Sequence, residues 1–107
     1  MKQLLSRLIA YGALLALVAL TLLAQDAKDL YLKQCSVCHS ADGAGKTAKG
    51  KKVKAMDVRE TSKKYSVDDM IKVVQEGKGQ NMNAYGKEFS KEQIKSLVEY
   101  YRGLAKQ

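Results

Sequence analysis

The 107-residue sequence has no proline and no tryptophan, a single phenylalanine (Phe89), a single histidine (His39) and two cysteines, Cys35 and Cys38. Each shortage excludes something. One histidine rules out any site that needs two imidazoles from one chain. Two cysteines and one histidine fall short of the four ligands of a closed structural zinc site, unless a carboxylate supplies the fourth. Two cysteines are also too few for a disulfide framework, and a bridge across two intervening residues would be strained and close a trivial loop. Few large aromatics leave little from which to build a core. Domains this small often need a metal, a disulfide or another staple.

What is present begins with an apolar run. Lys2 and Arg7 give a positive start, and Leu8 to Ala24 then carries no charge. That is the layout of a secretory signal peptide. Cleavage is expected after Ala24, with Leu22 an imperfect residue two positions before it. The run falls slightly short of the roughly 20 apolar residues of a comfortable membrane span, so an uncleaved anchor is the alternative. No cysteine lies near the cleavage point to take a lipid. A stretch apolar on every face is too hydrophobic for a core helix of so small a domain. The expected organisation is therefore a signal peptide or anchor over residues 1–24 and one domain over residues 25–107.

The domain is organised around Cys35-Ser36-Val37-Cys38-His39. C-x-x-C-H is the pattern of c-type haem attachment. Two thiols three positions apart on a turning backbone can each reach one vinyl group of a porphyrin, and the histidine that follows sits under the iron. A redox dithiol would need a βαβ context and no following histidine. In an exported chain the motif fits haem attachment, and a covalent haem would supply the apolar plate that the sparse core lacks.

Along the domain, residues 27–38 read as a first helix that ends at the motif, with Asp26 or Asp29 as its cap. Residues 40–50, with three glycines, read as a loop whose carbonyls can accept the His39 Nδ1–H. Lys46, Lys49, Lys51, Lys52 and Lys54 form a basic run, either a solvated face or a docking surface. A short helix is expected around Met56 to Glu60. Ser66 with Asp69 forms a capping box for a helix whose apolar face is Met70, Ile71, Val73 and Val74, and Gly77 ends it. Residues 76–86 read as a glycine- and asparagine-rich loop. Ser90 with Gln93 caps the last helix, with Ile94, Leu97, Val98, Tyr101 and Leu104 on one stripe.

A haem iron held by His39 has a sixth position. A methionine thioether, a lysine amine, water or nothing can fill it. Thioether sulfur is soft, favours ferrous iron and raises the potential. Met1 lies in the signal, Met70 on an apolar helix stripe, and Met56 in a short ambiguous segment. Met82 lies in a polar loop where nothing else explains an apolar residue, which makes it the candidate.

The sequence resembles the small class I bacterial cytochromes c of the c5/c6/c-551 kind. The resemblance is carried by Leu30-Tyr31 before the C-x-x-C-H motif, by the loop Gly77-Lys78-Gly79-Gln80-Asn81-Met82-Asn83-Ala84-Tyr85-Gly86, and by the terminal helix from Ser90 to Leu104. It implies an all-α fold of three to four helices around one covalent haem c, behind the N-terminal signal or anchor helix. It implies Cys35 and Cys38 as the thioether links, His39 and Met82 as axial ligands of the iron, and Tyr100 as the aromatic that crosses the first helix. There is one departure. The family usually has proline directly after the ligand methionine, and here Asn83 follows Met82.

The implied function is one-electron transfer between respiratory or other periplasmic redox partners, by a protein that is not an enzyme. No paired acid and base mark a substrate pocket. Two alternatives stay open: an open-site haem protein that binds a gas or peroxide, and a haem subunit fixed in a larger redox complex. Nineteen basic residues against eleven acidic give a net charge of +8, which Lys2 and Arg7 raise by two. Such a balance steers toward partners with acidic docking patches or an anionic membrane. Nucleic acid is excluded by export and by the lack of an aromatic–basic platform.

Overall fold

From Lys2 to Gln34 only Gly12 opposes a helix, and the chain forms one unbroken helix, α1 (Lys2–Gln34). The computed structural model describes the backbone of residues 1–107 and all side chains except those of residues 20, 21 and 23. The first two-thirds of α1 stands clear of the domain. Leu4, Leu8, Leu15 and Leu22 are each 60% exposed or more. Burial begins at Ala27, and Tyr31 is 1% exposed. The same helix therefore serves as an exposed apolar rod and then as a core element. Neither Asp26 nor Asp29 caps it, because the chain before them is already helical.

The first domain helix does not run through the motif. α1 stops at Cys35, whose backbone (φ −109°, ψ −37°) offsets the single turn α2 (Ser36–His39). Ser40, at φ +68°, ends that turn and reverses the chain. Within the expected loop a short helix forms, α3 (Ala48–Lys52), because the Thr47 hydroxyl caps Gly50 N–H. The next helix, α4 (Val58–Lys64), starts two residues later than the expected Met56, at the point where Asp57 accepts from Arg59 N–H.

The two capping boxes form as the sequence indicates. Ser66 and Asp69 open α5 (Val67–Glu76), which ends at Gly77 with φ +74°. Ser90 and Gln93 open α6 (Lys91–Gly103), and a 3₁₀ turn (Leu104–Lys106) follows. Reciprocal side-chain bonds of this kind satisfy the otherwise unpaired first N–H groups of a helix. The fold is helical throughout. Among the described residues the only strand-like pairing is an isolated bridge between Lys78 and Met82.

The core is small. Tyr31, Val58, Leu97 and Leu104 form its centre, with Phe89, Tyr100 and Tyr101 partly buried against it. Ile94, Val98 and Met70 are also buried, which fits Met70 as core filler. Fully burying such a side chain contributes about 1.5–3 kcal/mol. α1 crosses α6 where the Tyr31 and Tyr100 rings meet at 5.2 Å, as expected for Tyr100. Gly43 lets the chain after α2 lie on this core. A Cβ there would stand 2.7 Å from Val58 Cγ1, and its carbonyl accepts from Val58 N–H.

Candidate haem site

Cys35, Cys38 and His39 lie on adjacent turns of α1 and α2. Both cysteines are free and half-buried. Burial, and next the neighbouring Cys38, push the Cys35 thiol up to about 11. A thiol-exchange centre requires the opposite, a lowered pKa. Among the described residues no three His, Cys, Asp or Glu side chains converge on a metal-sized site.

His39 is half-buried, and burial lowers its pKa, so the imidazole is neutral, the form that ligates a metal. The carbonyls of the following loop do not take its Nδ1–H. The bond runs the other way, with Gly45 N–H donating to the His39 carbonyl at 2.9 Å. His39 Nδ1 and Ser62 Oγ are the buried side-chain polar atoms without a partner among the described residues. Buried polar atoms are nearly always paired, so an imidazole in this condition is underused by the protein's own hydrogen bonds. Two free thiols three apart and a neutral histidine next to them fit a covalent haem.

The motif is held from several sides. Tyr31 donates its hydroxyl to the Ser40 carbonyl at 2.7 Å, and Thr47 donates to the Val37 carbonyl at 2.5 Å. Gly50 of α3 lies so close to the Cys38 carbonyl that any Cβ would collide with it. Lys46, Lys49, Lys51, Lys52 and Lys54 are all exposed on and around this short helix, beside the motif.

Met82 is half-buried in the loop between α5 and α6, and Met56 is half-buried in the segment before α4. The loop lacks proline, yet its backbone is pinned. Lys78 N–H donates to the Met82 carbonyl at 2.8 Å, and Tyr85 and Gly86 N–H donate to Val74 and Gln75 carbonyls at 2.8 and 3.1 Å. Gly77 is required there. Its φ is positive, and a Cβ would stand 2.7 Å from the Met82 carbonyl oxygen. Tyr85 stacks on Phe89, with centroids 5.3 Å apart. Burial raises the Tyr85 phenol, and the nearby Cys35 thiol raises it further.

Sequence reasoning did not find Tyr85, Tyr101 or Thr61 as site residues. Tyr85 precedes Phe89 by four positions, a spacing that brings two rings together on a turning backbone. Tyr101 was visible only as one more apolar position of α6. In the structure its ring lies 5.2 Å from that of His39.

Known proteins share both the sequence pattern and the fold. Residues 23–100 match the family model described as cytochrome c oxidase, cbb3-type, subunit III. No curated protein matches the chain. Among solved structures, the KustC0563 c-type cytochrome is similar, with a TM-score of 0.68 and 30% identity over 73% of this chain and 95% of that one. With well over half of its length matched, the chain belongs to this family of c-type cytochromes, whose covalently bound haem c serves electron transfer.

Proposed function

We propose that the protein is a one-electron carrier in which Cys35 and Cys38 form the thioether links and His39 and Met82 are the axial ligands of the haem iron. The observation that carries this reading is the placement of two free thiols and a half-buried histidine on adjacent turns. When bound, the haem supplies reversible one-electron chemistry at its iron.

The chain's residues hold and tune that group. Cys35 and Cys38 fix its position. His39 offers a neutral nitrogen donor from a half-buried turn, and Met82 offers a soft sulfur that favours the ferrous state. Tyr31, Phe89, Tyr100 and Tyr101 keep the surroundings apolar and exclude water. No proton has to move, which suits a carrier rather than an enzyme. The exposed lysines around α3 give a partner with acidic groups an approach beside the attachment turn.

The pinned loop backbone around Met82 favours this reading over the open-site alternative. Residues 1–24 are proposed to take the domain across the membrane, as a signal peptide cleaved after Ala24 or as an uncleaved anchor, with residues 25–107 outside. Absorption spectroscopy tests the ligand assignment. A thioether–iron charge-transfer band in the ferric protein is expected, with slow carbon monoxide binding to the ferrous protein. Rapid carbon monoxide binding to the wild type would establish the open site instead.

A further inference from the structure

His39 is held in an unusual way. Its backbone is fixed by the α2 turn and by Gly45, but its Nδ1 has no hydrogen-bond partner among the described residues. A metal-ligating histidine is ordinarily oriented by a bond from its second nitrogen. Rotation about the last torsion of a histidine is intrinsically soft, because sp³–sp² torsions have broad wells. Something other than a hydrogen bond must therefore set the plane of this imidazole.

One ring is placed to do so. Tyr101 of α6 lies 5.2 Å from the His39 ring, with the planes 64° apart, an edge-to-face contact. Tyr101 is itself fixed twice. Its ring stacks on Tyr31 at 6.2 Å, and its hydroxyl lies 3.0 Å from Thr61 Oγ1. Thr61 has one hydroxyl proton, and its Oγ1 lies 3.2 Å from the Val58 carbonyl, a bond that uses that proton. The Tyr101 hydroxyl is then the donor to Thr61. The chain of contacts runs from α4 through Thr61 and Tyr101 to the imidazole.

We infer that Tyr101, pinned by Thr61, is a positioning residue that sets the plane of the His39 imidazole. This rests on His39 being the iron ligand proposed above. The orientation of an axial imidazole plane governs how unpaired spin spreads over a ferric haem, so it can be read directly.

The experiment is proton NMR of the ferric holoprotein, which reports the haem-methyl resonances. Four variants are compared: Tyr101→Leu, Tyr101→Phe, Thr61→Val and the double variant Thr61→Val/Tyr101→Phe. Tyr101→Leu is expected to change the spread and order of the methyl shifts. Tyr101→Phe keeps the ring and loses only the pin, and Thr61→Val loses the pin together with the Thr61 bond to the Val58 carbonyl of its own helix, so smaller changes in one common direction are expected. The double variant is expected to move no further than either single one, because both remove the same bond. Val98→Ala, a core substitution on the same helix, is expected to lower the melting temperature and leave the methyl pattern alone.

A wild-type pattern in Tyr101→Leu would overturn the inference. Should that variant not fold, additive shifts in the double variant would overturn it, as would a Val98→Ala shift as large as that of Thr61→Val. If the wild-type protein lacks the spectrum of a histidine-ligated haem, the ligand assignment itself fails, and the inference falls with it.

Discussion

The two faces proposed for the haem are built differently. On the His39 side, the ligand sits on a helical turn, and neighbours from α1 and α3 brace it. Tyr31 holds the Ser40 carbonyl, Thr47 holds the Val37 carbonyl, and α3 presses Gly50 against Cys38. On the Met82 side, the ligand sits in a loop held by main-chain bonds to α5 and by one local bridge. The first face is fixed by side chains that bond its carbonyls and by the close packing of Gly50, and Tyr31 belongs to the core itself. The second is fixed by a few backbone hydrogen bonds, each worth only about 0.5–1.5 kcal/mol net. The difference suits a site whose attachment is permanent and whose sixth ligand is adjustable.

The largest effects are expected where the first face is broken. Cys38→Ala or His39→Ala should abolish the mature haem spectrum, since the proposed attachment and proximal ligand are both on this turn. A protein with the native spectrum after His39→Ala would show that the iron is held elsewhere.

Met82→Ala should be milder. Haem should stay covalently bound, the thioether–iron band should vanish and the reduction potential should fall, as redox titration with absorption readout would report. Met56→Ala should leave the band in place. The opposite result would move the sixth ligand to Met56.

A pair of glycine substitutions compares the faces in one currency. Gly50→Ala drives a Cβ into the Cys38 carbonyl, backbone against backbone, and should cost roughly 3 kcal/mol or more of stability. Gly77→Ala strains a positive φ and crowds the Met82 carbonyl, and should cost about 1–3 kcal/mol. Denaturant unfolding gives both values. Gly77→Ala should also weaken the thioether–iron band, whereas Gly50→Ala should not do so selectively.

The smallest effect is expected from Asn83→Pro. It places in the loop the residue that usually follows the family's ligand methionine. Restricting the unfolded chain should stabilise the protein by roughly 0.5–1 kcal/mol. The thioether–iron band should be unchanged or sharper. A loss of the band would mean that this loop depends on Asn83.

Much of this comparison was legible in the residues. Both capping boxes and the Gly77 stop are written in local sequence, and local bonds decide them. The attachment motif is likewise contiguous. Other features depend on tertiary context. Asp26 and Asp29 have the chemistry of a cap, but the helical segment before them leaves no helix start to cap. The short helix near Met56 starts later because Asp57 caps it. The Nδ1 of His39 was expected to find a loop carbonyl. The loop instead donates to the His39 carbonyl, and the ring meets Tyr101, about sixty positions away on α6. Contacts made between distant helices leave no local pattern to read.

The most direct test of the central claim is the intact mass of the purified protein after acid–acetone extraction, measured beside the Cys35→Ala/Cys38→Ala variant. The expected result is a wild-type chain heavier than its sequence by one haem and a double variant at the bare chain mass. A wild-type protein at the bare chain mass would contradict the claim that these two cysteines carry the haem.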